Sequence, residues 1–198
     1  KVELGFPLPA LATEILTTTG HHLRERSPQR QPLTEGRFEK VSMAGRPGFD
    51  ASLLLSAGEP GFGFEHGEVY SVHVGWSGNS VLSAERQPYT TGLIGGGEVL
   101  LGGEATLARG ETYTTPWLYG SYGDGLNEVA ARFHDYVRSC HPDLAVKPRP
   151  VILNTWEAVY FDHDYDTLKA LADKAGDSGV ERFVVDAVSY THLTLPTS

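Results

Sequence analysis

The chain has one cysteine and one methionine among 198 residues. With Cys140 alone, no internal disulfide can form, which fits a reducing compartment and makes the cytoplasm the expected location. No apolar run is long enough to span a bilayer. Positive charge is also scarce: 16 Lys and Arg against 25 Asp and Glu give a formal net charge of −9. That balance argues against nucleic acid or an anionic membrane as partner and leaves neutral small molecules compatible. The eight histidines show no metal-ligand spacing, and no His-x-x-x-His falls on an expected helix. Neither metal nor cofactor is therefore expected. The start, Lys1-Val2-Glu3-Leu4, has no initiator Met and no signal-peptide core. A removed leader or excision from a longer chain is the expectation.

What is present is ordinary for a globular protein: 40% hydrophobic and 21% charged residues. The 23 glycines and 12 prolines favour many turns and short strands. Strands are expected at Glu14–Thr18, Ala51–Leu55, Glu68–Val74, Ser80–Ala84, Glu98–Leu101 and Tyr113–Tyr119. Turn clusters such as Gly58-Glu59-Pro60-Gly61 and Gly95-Gly96-Gly97 separate them, the pattern of a sandwich. Within 69–76, Val69, Ser71 and His73 alternate with Tyr70, Val72 and Val74, which predicts a strand with one apolar face. Arg24, Arg26 and Arg30 read as a solvated loop.

A helical face follows. Leu126, Val129, Ala130, Phe133 and Val137 recur at helical spacing, and His141-Pro142 ends the pattern near Cys140. Three prolines make 141–150 a linker. After it comes a short apolar strand at Val151–Asn154. A helix carrying Leu168, Leu171, Ala172 and Ala175 follows, with Asp164 as N-cap, and then a second short strand at Arg182–Asp186. This β-α-β unit begins a parallel sheet or barrel.

The stretch Asn154-Thr155-Trp156-Glu157-Ala158-Val159-Tyr160-Phe161-Asp162 sits where the buried strand opens into a loop. Parallel α/β proteins place site residues there. An indole, carboxylates, an amide and a phenol together suit a sugar better than a core. From the residues alone, Trp156 is either a sugar platform or a packed core indole, and Asp186 either a hydroxyl acceptor or a cap. Gly75-Trp76-Ser77-Gly78-Asn79 misses a Gly-x-Ser-x-Gly elbow by one position. Gly95-Gly96-Gly97 lacks the Lys-Ser/Thr of a phosphate loop, so a turn is expected.

The segment Pro148–Asp162 resembles the first barrel strand of family 36 glycoside hydrolases, the bacterial α-galactosidases. Leu168–Ala172 and Gly179–Asp186 resemble that family's first barrel helix and second strand. Phe62–Glu68, Trp76–Asn79 and Tyr113–Trp117 resemble its N-terminal β-supersandwich. The resemblance implies a β-supersandwich followed by the first β-α-β of a truncated (β/α)8 TIM barrel. Its expected divisions are a sandwich at 1–122, a helix and linker at 123–150, and a barrel start at 151–187. It implies retaining hydrolysis of terminal α-galactosides, with Trp156 and Asp186 as substrate-binding residues. The family's nucleophile and general acid are aspartates on later strands, absent here, so this chain is expected to be inactive. A homo-oligomer is implied for the full-length protein. Arg46–Asp50 is the candidate for a loop reaching a neighbouring subunit.

The match breaks after Asp186, where the family continues Asp-Gly-Trp-Phe and this chain has Ala187. Residues 188–198 resemble a translated sequencing-adapter read-through, against the plainer reading of a disordered tail. Two other functions stay open: a non-catalytic carbohydrate-binding or structural sandwich, and a sibling α-N-acetylgalactosaminidase or galactosyltransferase specificity.

Overall fold

The computed structural model describes residues 1–49 and 53–186. It contains two compact units, Lys1–Val137 and Arg138–Ser198. The first unit is a sandwich of two antiparallel sheets. One has strand order β1-β8-β7-β4, from Val2–Leu8, Thr90–Glu98, Ser80–Gln87 and Gly36–Ser42. The other has order β3-β2-β5-β6-β9, from Arg24–Pro32, Glu14–His21, Leu54–Gly58, Glu68–Val74 and Leu118–Asp124. Inward side chains of both sheets meet in one core: Leu8, Leu82 and Ile94 from the first sheet, Ile15, Leu55 and Val72 from the second. Burying such side chains is the main term holding the sheets together.

Strand β6 departs from the one-sided pattern. Val72 and Val74 face the sandwich core, but Val69 and Ser71 are buried too. Helix α1 (Leu126–Cys140) covers that second face. Val129 joins Val69 and Phe62 in a separate apolar cluster, with Leu126 and Phe133 against it, and Ser121 Oγ donates to the Val129 carbonyl at 3.2 Å. Here the helical stripe found in sequence closes the outer face of a sheet.

Several expectations are corrected. Gly95-Gly96-Gly97 lies inside β8, opposite Gly5, Leu4 and Glu3 of β1, and is not a turn. The strand expected at Glu98–Leu101 ends at Glu98, and the one expected at Tyr113–Tyr119 runs Leu118–Asp124. The strand expected at Ala51–Leu55 runs Leu54–Gly58, and residues 51 and 52 lie outside the described residues. Arg24, Arg26 and Arg30 lie in strand β3, exposed along its whole length. An edge strand whose residues are all largely exposed shows no alternation of burial, and as an edge it tolerates Pro28 and Pro32 where no outer N–H is needed for pairing. The candidate loop at 46–50 is non-strand through Phe49, with Asp50 outside the described residues.

The second unit is simpler. Strands β10 (Ile152–Asn154) and β11 (Arg182–Val184) pair in parallel, Asn154 opposite Val184. Between them lie a one-turn helix, α2 (Trp156–Val159), and helix α3 (Tyr165–Asp177). Asp164 caps α3 by accepting from the Thr167 N–H at 2.8 Å, which holds its carboxyl below the ordinary aspartate value. A depressed folded value stabilises the fold above the unfolded one, and this contribution disappears as pH falls from about 3.8 through the folded value. Asp164→Asn keeps the acceptor and is expected to remove that acid sensitivity. Comparing wild-type and variant helicity by circular dichroism between neutral pH and acid checks it; identical acid profiles would refute the assignment.

Among the described residues, no helix is long and apolar enough to cross a membrane.

Candidate functional site

The C-terminal ends of β10 and β11 gather the residues singled out in sequence. Trp156 does not end the strand. Thr155 intervenes, and Trp156 opens α2 instead. The turn has a local cause. Asn154 Oδ1 accepts from the Trp156 N–H at 2.8 Å, the geometry of an Asx turn, which bends the chain out of β10. Thr155 is fully buried. Its N–H donates to the Val184 carbonyl at 3.0 Å, extending the parallel pairing, and its carbonyl receives the first N–H bonds of α2.

The Trp156 indole is half-buried and stands edge-on to two rings, Tyr160 at 5.4 Å and Phe161 at 5.0 Å between centroids. Such edge-to-face contacts fix the indole plane. Tyr160 takes φ +49°, a left-handed backbone that turns the chain at the end of α2. Its hydroxyl donates to Glu157 Oε2 at 3.2 Å, which raises the phenol's pKa.

Asp186 follows β11 and is half-buried. Its Oδ2 accepts from Asn154 Nδ2 at 3.0 Å, and its N–H points to Thr155 Oγ1 at 3.4 Å. The structure thus links both sequence-predicted residues, Trp156 and Asp186, through Asn154. Glu157 is tied to Tyr160 and Asp164 to the start of α3, so neither joins Asp186 in a carboxylate pair through a hydrogen bond. Sequence reading placed Asn154 and Thr155 in the motif without a role. Their signal was the polar pair directly after an apolar strand.

The first unit carries two clefts of its own. One, of about 390 Å³, is lined by Trp76, Asn79, Glu98 and Tyr113. There the Tyr113 hydroxyl donates to the buried Glu98 carboxylate at 2.5 Å, and this acceptor raises the pKa of Tyr113. The other, of about 540 Å³, is lined by Glu68, Tyr70, Tyr122 and Arg132. The Arg132 guanidinium lies 4.2 Å from the centroid of Tyr122. Donation to Glu68 pushes the Tyr70 pKa up to about 12. Among the described residues, no group of three or more His, Cys, Asp and Glu is placed to hold a metal ion.

Comparison with known proteins bears on what these elements are. A sequence model of the glycosyl hydrolase family 36 N-terminal domain matches residues 1–108, and one described as melibiase matches 112–193. The chain is 36% identical to an α-galactosidase of Escherichia coli over 94% of this chain and 27% of that one. It is 30% identical to α-galactosidase Mel36A of Lactobacillus acidophilus, over 90% and 25% respectively. Among solved structures, the galactosidase domain of the α-galactosidase-sucrose kinase AgaSK superposes with a TM-score of 0.80 at 29% identity, covering 94% of this chain and 26% of that one. A variant of the family 36 α-galactosidase AgaA from Geobacillus stearothermophilus, in complex with raffinose, gives 0.78 at 26% identity, over 93% and 26%. This chain therefore spans about a quarter of the length of these relatives. The fold of this chain, a β-sandwich followed by the start of a (β/α)8 barrel, matches the corresponding part of these solved structures. Since the N-terminal-domain model alone covers 108 of 198 residues, the chain belongs to glycosyl hydrolase family 36.

Proposed function

We propose that this chain forms the sandwich and the first barrel segment of an α-galactosidase, and that its own chemical contribution is to hold substrate. The observation that carries this is the linked set at the strand ends, where Asn154 joins the Trp156 turn to the Asp186 carboxylate. A half-buried indole covers the apolar C–H patch of a galactose ring and removes it from water. A carboxylate beside it accepts hydrogen bonds from neighbouring hydroxyls, and charged acceptors make strong ones. Asp186 then binds the 4- or 6-hydroxyl and so helps select galacto over gluco stereochemistry. The E. coli and L. acidophilus relatives are α-galactosidases and the AgaA variant holds raffinose, which supports terminal α-galactosides as the substrate class.

Bond breaking in this reading is retaining double displacement. One aspartate attacks the anomeric carbon while another protonates the leaving oxygen and later activates water, the two carboxyls about 5 Å apart. Those two aspartates belong to later barrel strands. Within this reading, residues 1–122 are the sandwich, 123–150 the helix and linker, and 151–187 the barrel start; residues 188–198 lie outside the described residues. Residence in the cytoplasm and assembly into a homo-oligomer belong to the same proposal, the first supported by the single, exposed Cys140. The net charge of −9 supports a neutral sugar over nucleic acid as partner.

The test is hydrolysis of a nitrophenyl α-galactoside. The 198-residue chain is expected to show none above a heat-killed control, whereas a full-length protein that carries this segment together with the later barrel strands hydrolyses it. Turnover by the 198-residue chain, or an inert full-length product, sinks the proposal.

A further inference from the structure

We infer that Asn154 is a positioning residue for substrate, one amide setting both the indole and the carboxylate that meet the sugar. This rests on the substrate-holding reading above and adds a residue to it. The geometry separates two functions on a single side chain. Its oxygen accepts from the Trp156 N–H at 2.8 Å and so fixes where the strand ends and the indole begins. Its nitrogen donates to Asp186 Oδ2 at 3.0 Å and so fixes the carboxylate's orientation.

An amide offers one acceptor oxygen and two donor hydrogens, and both kinds of group are used here. Aspartate is nearly the same size but offers acceptors only. At position 154 it would preserve the Asx turn and set a second carboxylate against Asp186. Alanine would remove both ties. An ionised carboxylate has about four lone-pair sites, and the Asn154 bond occupies one of them and so fixes the direction of the others. The surroundings make the tie worth holding. Buried Thr155 anchors the backbone between the two residues, with its hydroxyl 3.4 Å from the Asp186 N–H. Asn154 is opposite Val184 in the parallel register, two residues before Asp186, so its side chain spans the gap at the strand ends. The indole itself is braced edge-on by Tyr160 and Phe161. Only the Asn154 side chain bonds to both sugar-facing residues among the hydrogen bonds described above.

The test uses nitrogen-15 NMR of the whole 198-residue chain. If the tie exists in solution, Asp186→Ala moves the Asn154 side-chain amide resonances; unmoved resonances overturn the inference. The second measurement is a titration with methyl α-galactoside, followed at the Trp156 indole N–H. Asn154→Asp is expected to weaken binding about tenfold, the order expected for losing a hydrogen bond to a charged group. The Trp156 backbone amide should stay in place in that variant, because its acceptor is retained. Asn154→Ala should weaken binding at least as much and also move that backbone amide. A wild-type response that Asn154→Asp leaves intact overturns the positioning role alone. A wild-type chain with no response to the galactoside instead overturns the substrate-holding reading on which the role depends.

Discussion

Replacing Phe62 with alanine is expected to cost the first unit about 3–5 kcal/mol, the usual range for emptying a buried aromatic site. Phe62 is 1% exposed and is the largest fully buried side chain. It packs with Val69 and Val129, so it joins the turn before β6 to the sheet and to the helix that covers it. The Arg30 guanidinium lies 4.4 Å from its ring centroid and closes the remaining side. The chain has been shaped around the ring: a Cβ on Gly67 would stand 2.8 Å from Phe62 Cα, and one on Gly58 3.0 Å from its Cδ1. Little can therefore collapse into the space an alanine leaves. Phe64, two residues on, is 67% exposed, and its replacement by alanine should change stability by about 0.5 kcal/mol or less. Urea unfolding followed by Trp76 and Trp117 fluorescence compares the two variants. A Phe62→Ala loss below about 1 kcal/mol, within the range of unremarkable substitutions, would show that the helix-side cluster is not a second core.

Phe62 also shows what sequence can and cannot reveal. The block Phe62–Glu68 was recognisable only as a family fragment, because a residue in an irregular turn belongs to no period. Helix α1 was legible throughout, since Leu126, Val129 and Phe133 mark one stripe, and the structure ends it at Cys140. Its destination was not legible. The polar Ser71, buried under α1 beside Val69, bonds to Ser56 at 2.6 Å between hydroxyl oxygens. A serine satisfied by another serine looks in sequence like one facing water. The same limit hid β3, whose exposed residues alternate with nothing.

The strand ends of the second unit were more legible than the sheets of the first. A short apolar strand followed by amide, hydroxyl and indole ends at Asn154, and the second strand places Asp186 one β-α-β unit later. What sequence did not show was the helix that opens directly after that strand. Trp156 belongs to α2 and not to β10, because the Asn154 side chain takes the Trp156 N–H that would otherwise continue outward. A side chain competing for a backbone donor is a local event, yet whether it wins depends on what else holds that side chain. Here Asp186, 32 positions away, holds its other end.

Gly96→Val is expected to destabilise the first unit by about 3 kcal/mol or more, at the upper end of overpacking costs. The glycines of β8 were expected to make a turn, and the structure gives them a different task. A Cβ on Gly96 would stand 2.6 Å from the Val81 carbonyl oxygen and 2.7 Å from Val74 Cγ2, between the two sheets. On Gly97 it would stand 1.9 Å from the Val2 carbonyl oxygen, and on Gly95 2.2 Å from that of Leu4. All three obstacles include backbone, which cannot rotate aside as a long side chain can. They differ in what can yield. Val2 and Leu4 lie in the outer part of β1, an edge strand paired to β8; Leu8 holds the far end of that strand in the core, but its start can peel away while the rest of the sandwich stays closed. Val81 lies in β7, held between β8 and β4, and Val74 belongs to the core of the facing sheet. Gly97→Val should therefore leave most of the melting temperature intact while exposing residues 2–6 to limited proteolysis. Gly96→Val should lower the melting temperature of the whole unit with no preferential cleavage in β1. If Gly97→Val instead lowers stability as much as Gly96→Val, the start of β1 is as integral to the sandwich as Leu8 at its end, and its edge position gives it no freedom to yield.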